Sequence, residues 1–108
     1  GMHDIQRENR RGMLGIIIGE KAYWGQGYGT DAIQAMLDWA FGYLNLNRVS
    51  LTVYAYNERA IGCYLKGGFR HEGAMRQARY VDGQYYDELM MGILRDEFLE
   101  RRETGTAK

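Results

Sequence analysis

In Tyr23-Trp24-Gly25-Gln26-Gly27-Tyr28-Gly29-Thr30-Asp31-Ala32, glycines alternate with larger residues directly ahead of an amphipathic segment. The apolar run Met13-Leu14-Gly15-Ile16-Ile17-Ile18 comes just before it. Strand, glycine loop and helix in succession make an anion site. The first N–H groups of a helix have no carbonyl partner, and the helix dipole adds partial positive charge there. The glycines let the backbone approach a phosphate with no Cβ in the way. A phosphate-bearing cofactor seated on the loop is one reading. A glycine-rich turn that merely opens a helix is the other.

Working outward, Met13 to about Glu20 reads as a strand, apolar on both faces and therefore central. After the loop, Ile33, Met36, Leu37, Ala40, Phe41 and Leu44 fall on one helical face, which predicts a helix over 30–44. Asn45-Leu46-Asn47 ends it. Arg48 to Ala55 alternates Val49, Leu51 and Val53 against Ser50, Thr52 and Tyr54, the pattern of a second strand. Strand, helix and strand imply a parallel crossover. A second helix is expected over 58–66, closed by Gly67-Gly68. Two extended runs, 69–81 and 85–94, flank Asp82-Gly83, a strong hairpin signal. A short charged helix follows at 95–102. The fold class is α/β (α+β), in the order β-α-β-α-β-β with a C-terminal antiparallel hairpin.

Residues 1–12 are polar, with Arg7, Arg10 and Arg11 close together, and read as a flexible segment. Residues 13–102 form a single domain, and 103–108 a frayed tail. Equal numbers of basic and acidic residues, 14 each, give a net charge of zero, which speaks against a nucleic-acid-coating surface. One cysteine and two well-separated histidines leave little for a metal site, and none is expected. No apolar run approaches the length of a membrane span, so no membrane partner is expected and the compartment reads as cytoplasmic.

Gly27-Tyr28-Gly29-Thr30-Asp31-Ala32 fits the dinucleotide fingerprint GxGxxA on paper. That fingerprint follows its strand almost at once, whereas Lys21 to Trp24 intervene here, and the hairpin ending is wrong for a doubly wound sheet. A P-loop is excluded because no Gly-Lys-Ser/Thr follows. A second constellation, Asn57-Glu58-Arg59-Ala60-Ile61-Gly62-Cys63-Tyr64-Leu65-Lys66-Gly67-Gly68-Phe69-Arg70-His71-Glu72-Gly73, narrows the choice. Together with Trp24-Gly25-Gln26-Gly27-Tyr28-Gly29, Asp82-Gly83-Gln84-Tyr85-Tyr86-Asp87 and Met91-Gly92-Ile93-Leu94, it resembles the GNAT superfamily of N-acetyltransferases, most closely the ribosomal-protein N-acetyltransferase branch. The resemblance covers residues 13–94. Many members carry Arg or Gln three residues before the middle glycine, where this chain has Trp24, as is common in that branch.

The resemblance implies acetyl-CoA as co-substrate and a primary amine, a protein N-terminus or a small amine, as acceptor. Gln26, Gly27, Tyr28, Gly29 and Thr30 would offer backbone N–H groups to the pyrophosphate. Ile16, Ile17 and Ile18 would line the pantetheine arm and polarise the thioester carbonyl. Asn57 would hold that arm, and Tyr64 would protonate the departing thiolate as general acid. Each residue also has a plainer reading. Tyr64 on an amphipathic helix packs a core, Asn57 caps a helix, and Cys63 is a buried thiol. Glu20 is either a solvated strand end or the base that takes the proton of the amine. Tyr80, Tyr85 and Tyr86 pack a sheet face or border an acceptor tunnel.

The family fold opens with a strand, two helices and two further strands ahead of the point where this chain begins. The expectation is therefore a truncated GNAT fold, its cofactor-binding half. Its first strand would show an unpaired apolar edge, covered by a second copy in a homodimer. The alternative function is a CoA-binding or assembly module without turnover of its own.

Overall fold

The computed structural model describes residues 2–14 and 28–103. Strands β1 (Met2–Gln6), β2 (Arg11–Leu14), β3 (Arg48–Tyr54), β4 (Arg70–Val81) and β5 (Gln84–Leu94) form one sheet in the order β1-β2-β3-β5-β4. Its helices are α1 (Tyr28–Asp38), α2 (Glu58–Lys66) and α3 (Arg95–Glu103). β2 and β3 run parallel, with Gly12 opposite Val49, and α1 lies between them in sequence. The other neighbouring strands are antiparallel. The α/β reading holds, with a hairpin at the N-terminal side that the sequence order did not contain. Among the described residues no helix is long and apolar enough to cross a membrane.

That hairpin is a correction. Where residues 1–12 read as a flexible polar segment, the structure has β1, the turn Arg7–Arg10 and the start of β2. Charge patterning misses it because both strands are short and their pairing, Met2 with Leu14 and His3 with Met13, is not a periodicity within either strand. Two backbone hydrogen bonds from outside the hairpin help hold the turn. The Arg10 carbonyl accepts from Asn47 N at 2.6 Å and Arg48 N at 3.1 Å. β1 also removes the expected unpaired edge at Met13, since β2 is flanked by β1 on one side and β3 on the other. Within the described residues, the stated reason for a covering second copy is gone. The remainder of the expected strand, 15–20, lies outside them.

The helices pack against one face of the sheet. β3 alternates buried Val49, Leu51 and Val53 with Arg48, Ser50, Thr52 and Tyr54 on the open face. Met91 and Ile93 from β5 extend the buried face. Ile33, Leu37, Ala40 and Phe41 from the first helical stretch complete the core with Phe69 and with Phe98 of α3. The Phe41 and Phe98 rings lie 5.2 Å apart. The expected helix to residue 44 is present but changes winding. After Asp38, residues Trp39–Tyr43 form a π-helical turn, with Leu44 N donating to Trp39 O at 3.0 Å. Asn45 then takes a left-handed φ of 58°, a conformation asparagine tolerates, and ends the helix where the sequence predicted.

Asp82 and Gly83, at φ 48° and 83°, turn the long β4–β5 hairpin as the Asp-Gly signal requires. A different glycine explains the Glu72-Gly73 and Met91-Gly92 pairs. Arg48 on β3 reaches across β5 to Glu72 on β4 and grips its carboxylate with both guanidinium nitrogens, one bond at 2.9 Å. Gly92 lies beneath this bridge, and a Cβ there would sit 2.6 Å from both Glu72 carboxylate oxygens. Gly92→Ala should swing the flexible Glu72 side chain away and undo the bridge. Both partners are about one-third exposed (32% and 33%), so the expected cost is about 1 kcal/mol or less. Urea unfolding of Gly92→Ala, Glu72→Gln and the double variant checks this. The double variant should lose no more than the larger single loss, and simple additivity would argue against the bridge as the reason for the glycine.

Candidate functional site

The site is built on α2, a helix closed at both ends by its own sequence. Asn57 is the N-cap, its side-chain oxygen accepting from Ala60 N at 3.3 Å. Glu58 in the first turn and Lys66 in the last suit the helix dipole. At the C-terminus, Gly68 N donates to Leu65 O and Phe69 N to Tyr64 O, each at 3.0 Å, which is the Schellman pattern. Gly68 supplies the left-handed residue, at φ 106°. The hydrophobic contact that accompanies this motif is Tyr64 against Phe69, edge to face with centroids 5.8 Å apart. The spacing Tyr-x-x-x-Gly-Phe is thus a helix-ending device that clamps the Tyr64 ring.

Tyr64 is buried within the core cluster. Burial pushes its phenol up to about 12, with a smaller push from Cys63 alongside. Among the described residues no side-chain oxygen is both fully buried and without a partner, and the Tyr64 hydroxyl forms no hydrogen bond there. A clamped ring therefore carries a hydroxyl that burial keeps protonated. Cys63 is buried, as the plainer reading expected.

α1 meets this helix at its C-terminal end. Gln34 Nε2 donates to Gly67 O at 3.4 Å, and a Cβ on Gly67 would lie 3.0 Å from Ile33 Cγ2. Ile33 is one helical turn along α1 from Thr30, and Tyr64 is one turn along α2 from Gly67. The backbone places Tyr28, Gly29 and Thr30 in the first turn of α1, two residues earlier than the sequence predicted. The contact shown between the two helices is thus Ile33 and Gln34 of α1 against Gly67 at the end of α2. Asn57, two turns away at about 10 Å of helix rise, is not beside Tyr64. Ile16, Ile17, Ile18, Glu20, Gln26 and Gly27 lie outside the described residues.

An aromatic cluster, which the sequence reading misses in part, includes Tyr56, the residue before Asn57. Tyr56 stacks on Tyr54 at 5.8 Å and meets Tyr86 edge-on at 4.8 Å, and the Arg79 guanidinium lies 4.8 Å from the centre of the Tyr54 ring. Tyr86 is a sequence candidate, whereas Tyr54 reads only as a strand position and Tyr56 falls just beyond the predicted strand with no reading of its own. Their adjacency to Asn57 was the available signal. Tyr80 and Tyr85 pair with each other and stay about 60% exposed, so they do not pack under other elements.

Asn57→Ala should destabilise the chain by about 1 kcal/mol, and Asn57→Ser should keep most of the cap. Thermal unfolding of the two variants side by side measures the difference.

Residues 1–70, from the N-terminal hairpin through the Schellman turn, match the acetyltransferase (GNAT) domain family. The chain belongs to the GNAT acetyltransferase family. Spermidine N(1)-acetyltransferase of Escherichia coli strain K12 is 35% identical over 101 residues, covering 94% of this chain and 54% of that protein. A putative ribosomal N-acetyltransferase of Bacillus subtilis strain 168 is 31% identical over 97 residues, covering 90% and 52%. Among solved structures, spermidine N-acetyltransferase from Vibrio cholerae in complex with CoA and spermine aligns with a TM-score of 0.81 at 31% identity, over 91% of this chain and 57% of that one. The GNAT chain described here spans about half the length of the curated relatives it matches.

Proposed function

We propose that this chain carries the donor-handling part of an N-acetyltransferase, which moves an acetyl group from acetyl-CoA to a primary amine by direct attack. The observation that carries the reading is the Tyr64 ring clamped against Phe69 by the end of α2, with its hydroxyl kept protonated by burial, on a helix joined to α1 by the Gln34–Gly67 hydrogen bond. The family membership and the spermidine-acetylating relatives support it, and they favour a small polyamine over a protein N-terminus as acceptor.

The residues fit the co-substrate in chemistry. Backbone N–H groups of Gln26 to Thr30 suit a pyrophosphate. The Asn57 side-chain oxygen is engaged by the cap, which leaves its NH2 group to donate to an amide carbonyl of the pantetheine arm. The amine nitrogen forms its bond to the acetyl carbon, the carbon–sulfur bond breaks, and the electron pair goes to sulfur. Tyr64 donates its hydroxyl hydrogen to that sulfur. A phenol at about 12 is a weaker acid than a thiol at roughly 8.5 in water. Tyr64 thus acts first as a hydrogen-bond donor to the growing charge. Glu20 is the candidate to take the proton the amine gives up.

Calorimetry with CoA tests the binding half, and a thiol-release assay over spermidine, spermine and an N-terminal peptide tests turnover. CoA binding with release on polyamines supports the reading. Binding without release on any amine favours the module without turnover, and no binding rejects both.

A further inference from the structure

A cavity of about 410 Å³ lies between the π-helical turn and the Arg7–Arg10 turn. Ile5, Leu44, Leu46 and Tyr43 make its apolar wall, and among the described residues Arg7 and Arg10 are its charged lining. The walls are braced. Arg10 Nε donates to Asn45 O at 3.0 Å and its Nη2 to Asn45 Oδ1 at 3.1 Å. Behind Asn45, Arg95 Nη1 donates to Phe41 O at 2.6 Å, Asn45 Oδ1 at 3.1 Å and Leu46 O at 3.3 Å.

Much of this positive charge has a structural task. A helix end presents unpaired carbonyls and partial negative charge, and Arg10 and Arg95 answer them. Arg7 has no such task, since among the described residues its guanidinium forms no hydrogen bond or ion pair. It stands at the cavity as a free planar fork beside a second guanidinium already fixed in place. Tyr43 is 80% exposed and stacks on Trp39 at 6.4 Å with the rings 10° from parallel. A cationic edge and an apolar, aromatic wall lining one cavity match an anion with a flat apolar body, and the volume lies in the range of small-ligand pockets.

We propose that this cavity is a second ligand site, which takes a small aromatic carboxylate with its carboxylate on Arg7 and Arg10 and its ring against Tyr43, Leu44 and Leu46. The proposal is independent of the transferase reading.

Titration of the 15N-labelled chain with 3-phenylpropionate, with the neutral 3-phenylpropionamide in parallel, tests it. Saturable amide shifts confined to residues 7–10 and 43–47 are expected with the acid. The amide should bind on the order of tenfold more weakly. Arg7→Gln should weaken the acid by a similar factor with the rest of the spectrum unchanged, and Tyr43→Ala should weaken both probes. The proposal is overturned by non-saturable shifts, by equal affinity for acid and amide, or by undiminished binding to Arg7→Gln. Shifts of these amides with protein concentration in the absence of probe would mean that a second copy covers the cavity, and would overturn it too.

Discussion

Tyr64→Phe is expected to slow thiol release by about a hundredfold or more while leaving CoA affinity within a factor of two or so. The ring stays, so its edge-to-face contact with Phe69 and its place in the core are kept. Only the hydroxyl is lost, and among the described residues it has no hydrogen-bond partner to disappoint. A fall in kcat with KM and melting temperature nearly constant marks the loss of a donor used in the transition state. An unchanged kcat would remove Tyr64 from the chemistry and leave it as a core residue.

The pH dependence follows from the direction of the shift. The phenol ionises near 10 in the unfolded chain and at about 12 in the folded one. Below the unfolded value both forms are protonated, and the stabilising difference is fully present. As pH rises through the interval the unfolded chain gives up its proton first, so stability falls and the contribution is lost once the folded value is passed. Tyr64→Phe should flatten that part of the alkaline stability profile. In the active protein, Tyr64 should impose no alkaline loss of rate up to about pH 9, because the phenol keeps its proton there.

Phe69→Ala is expected to cost about 3–5 kcal/mol in urea unfolding, the largest stability effect of the substitutions considered. Phe69 is 2% exposed and joins the end of α2 to the shared core. The native state of a small domain has only about 5–15 kcal/mol in hand. The loss also removes the contact that seats the Tyr64 ring, so any residual activity should fall further than the unfolded fraction explains. Gly68→Ala serves as the comparison. It forces a left-handed backbone on a residue with a Cβ, at about 1–2 kcal/mol, and the added atom would come 3.1 Å from Ile93 Cδ1. If Phe69→Ala cost no more than Gly68→Ala, the Schellman turn would matter only for its backbone, and the clamp on Tyr64 would be discounted.

Much of the candidate site was legible because its signals are local. Asn57, Glu58 and Lys66 announce α2, and Gly67-Gly68-Phe69 announces its end, within a dozen consecutive residues. Tyr64 falls inside that frame, so its position on the helix could be read directly. The Asp82-Gly83 turn has the same character, with two left-handed residues named by their types. The aromatic cluster was only half legible. Tyr54 and Tyr56 stand beside Asn57 in sequence, but Arg79 and Tyr86 reach them only through the pairing of β3, β5 and β4.

The sequence by itself determined the α/β class, the borders of α2 and the Asp-Gly hairpin, because periodicity, caps and turn residues act over a few neighbouring positions, and its motifs carried the resemblance to the family. The tertiary structure decided the rest. It paired β1 with β2 where polar composition suggested loose chain, since that hairpin is held by Arg10 against Asn47 and Arg48, distant in sequence. It gave Gly92 its reason through an ion pair that bridges two other strands. It also gathered Arg7, Arg10 and Tyr43 around one cavity. Contacts between residues tens of positions apart leave no period in the chain, and only the assembled sheet brings them into register.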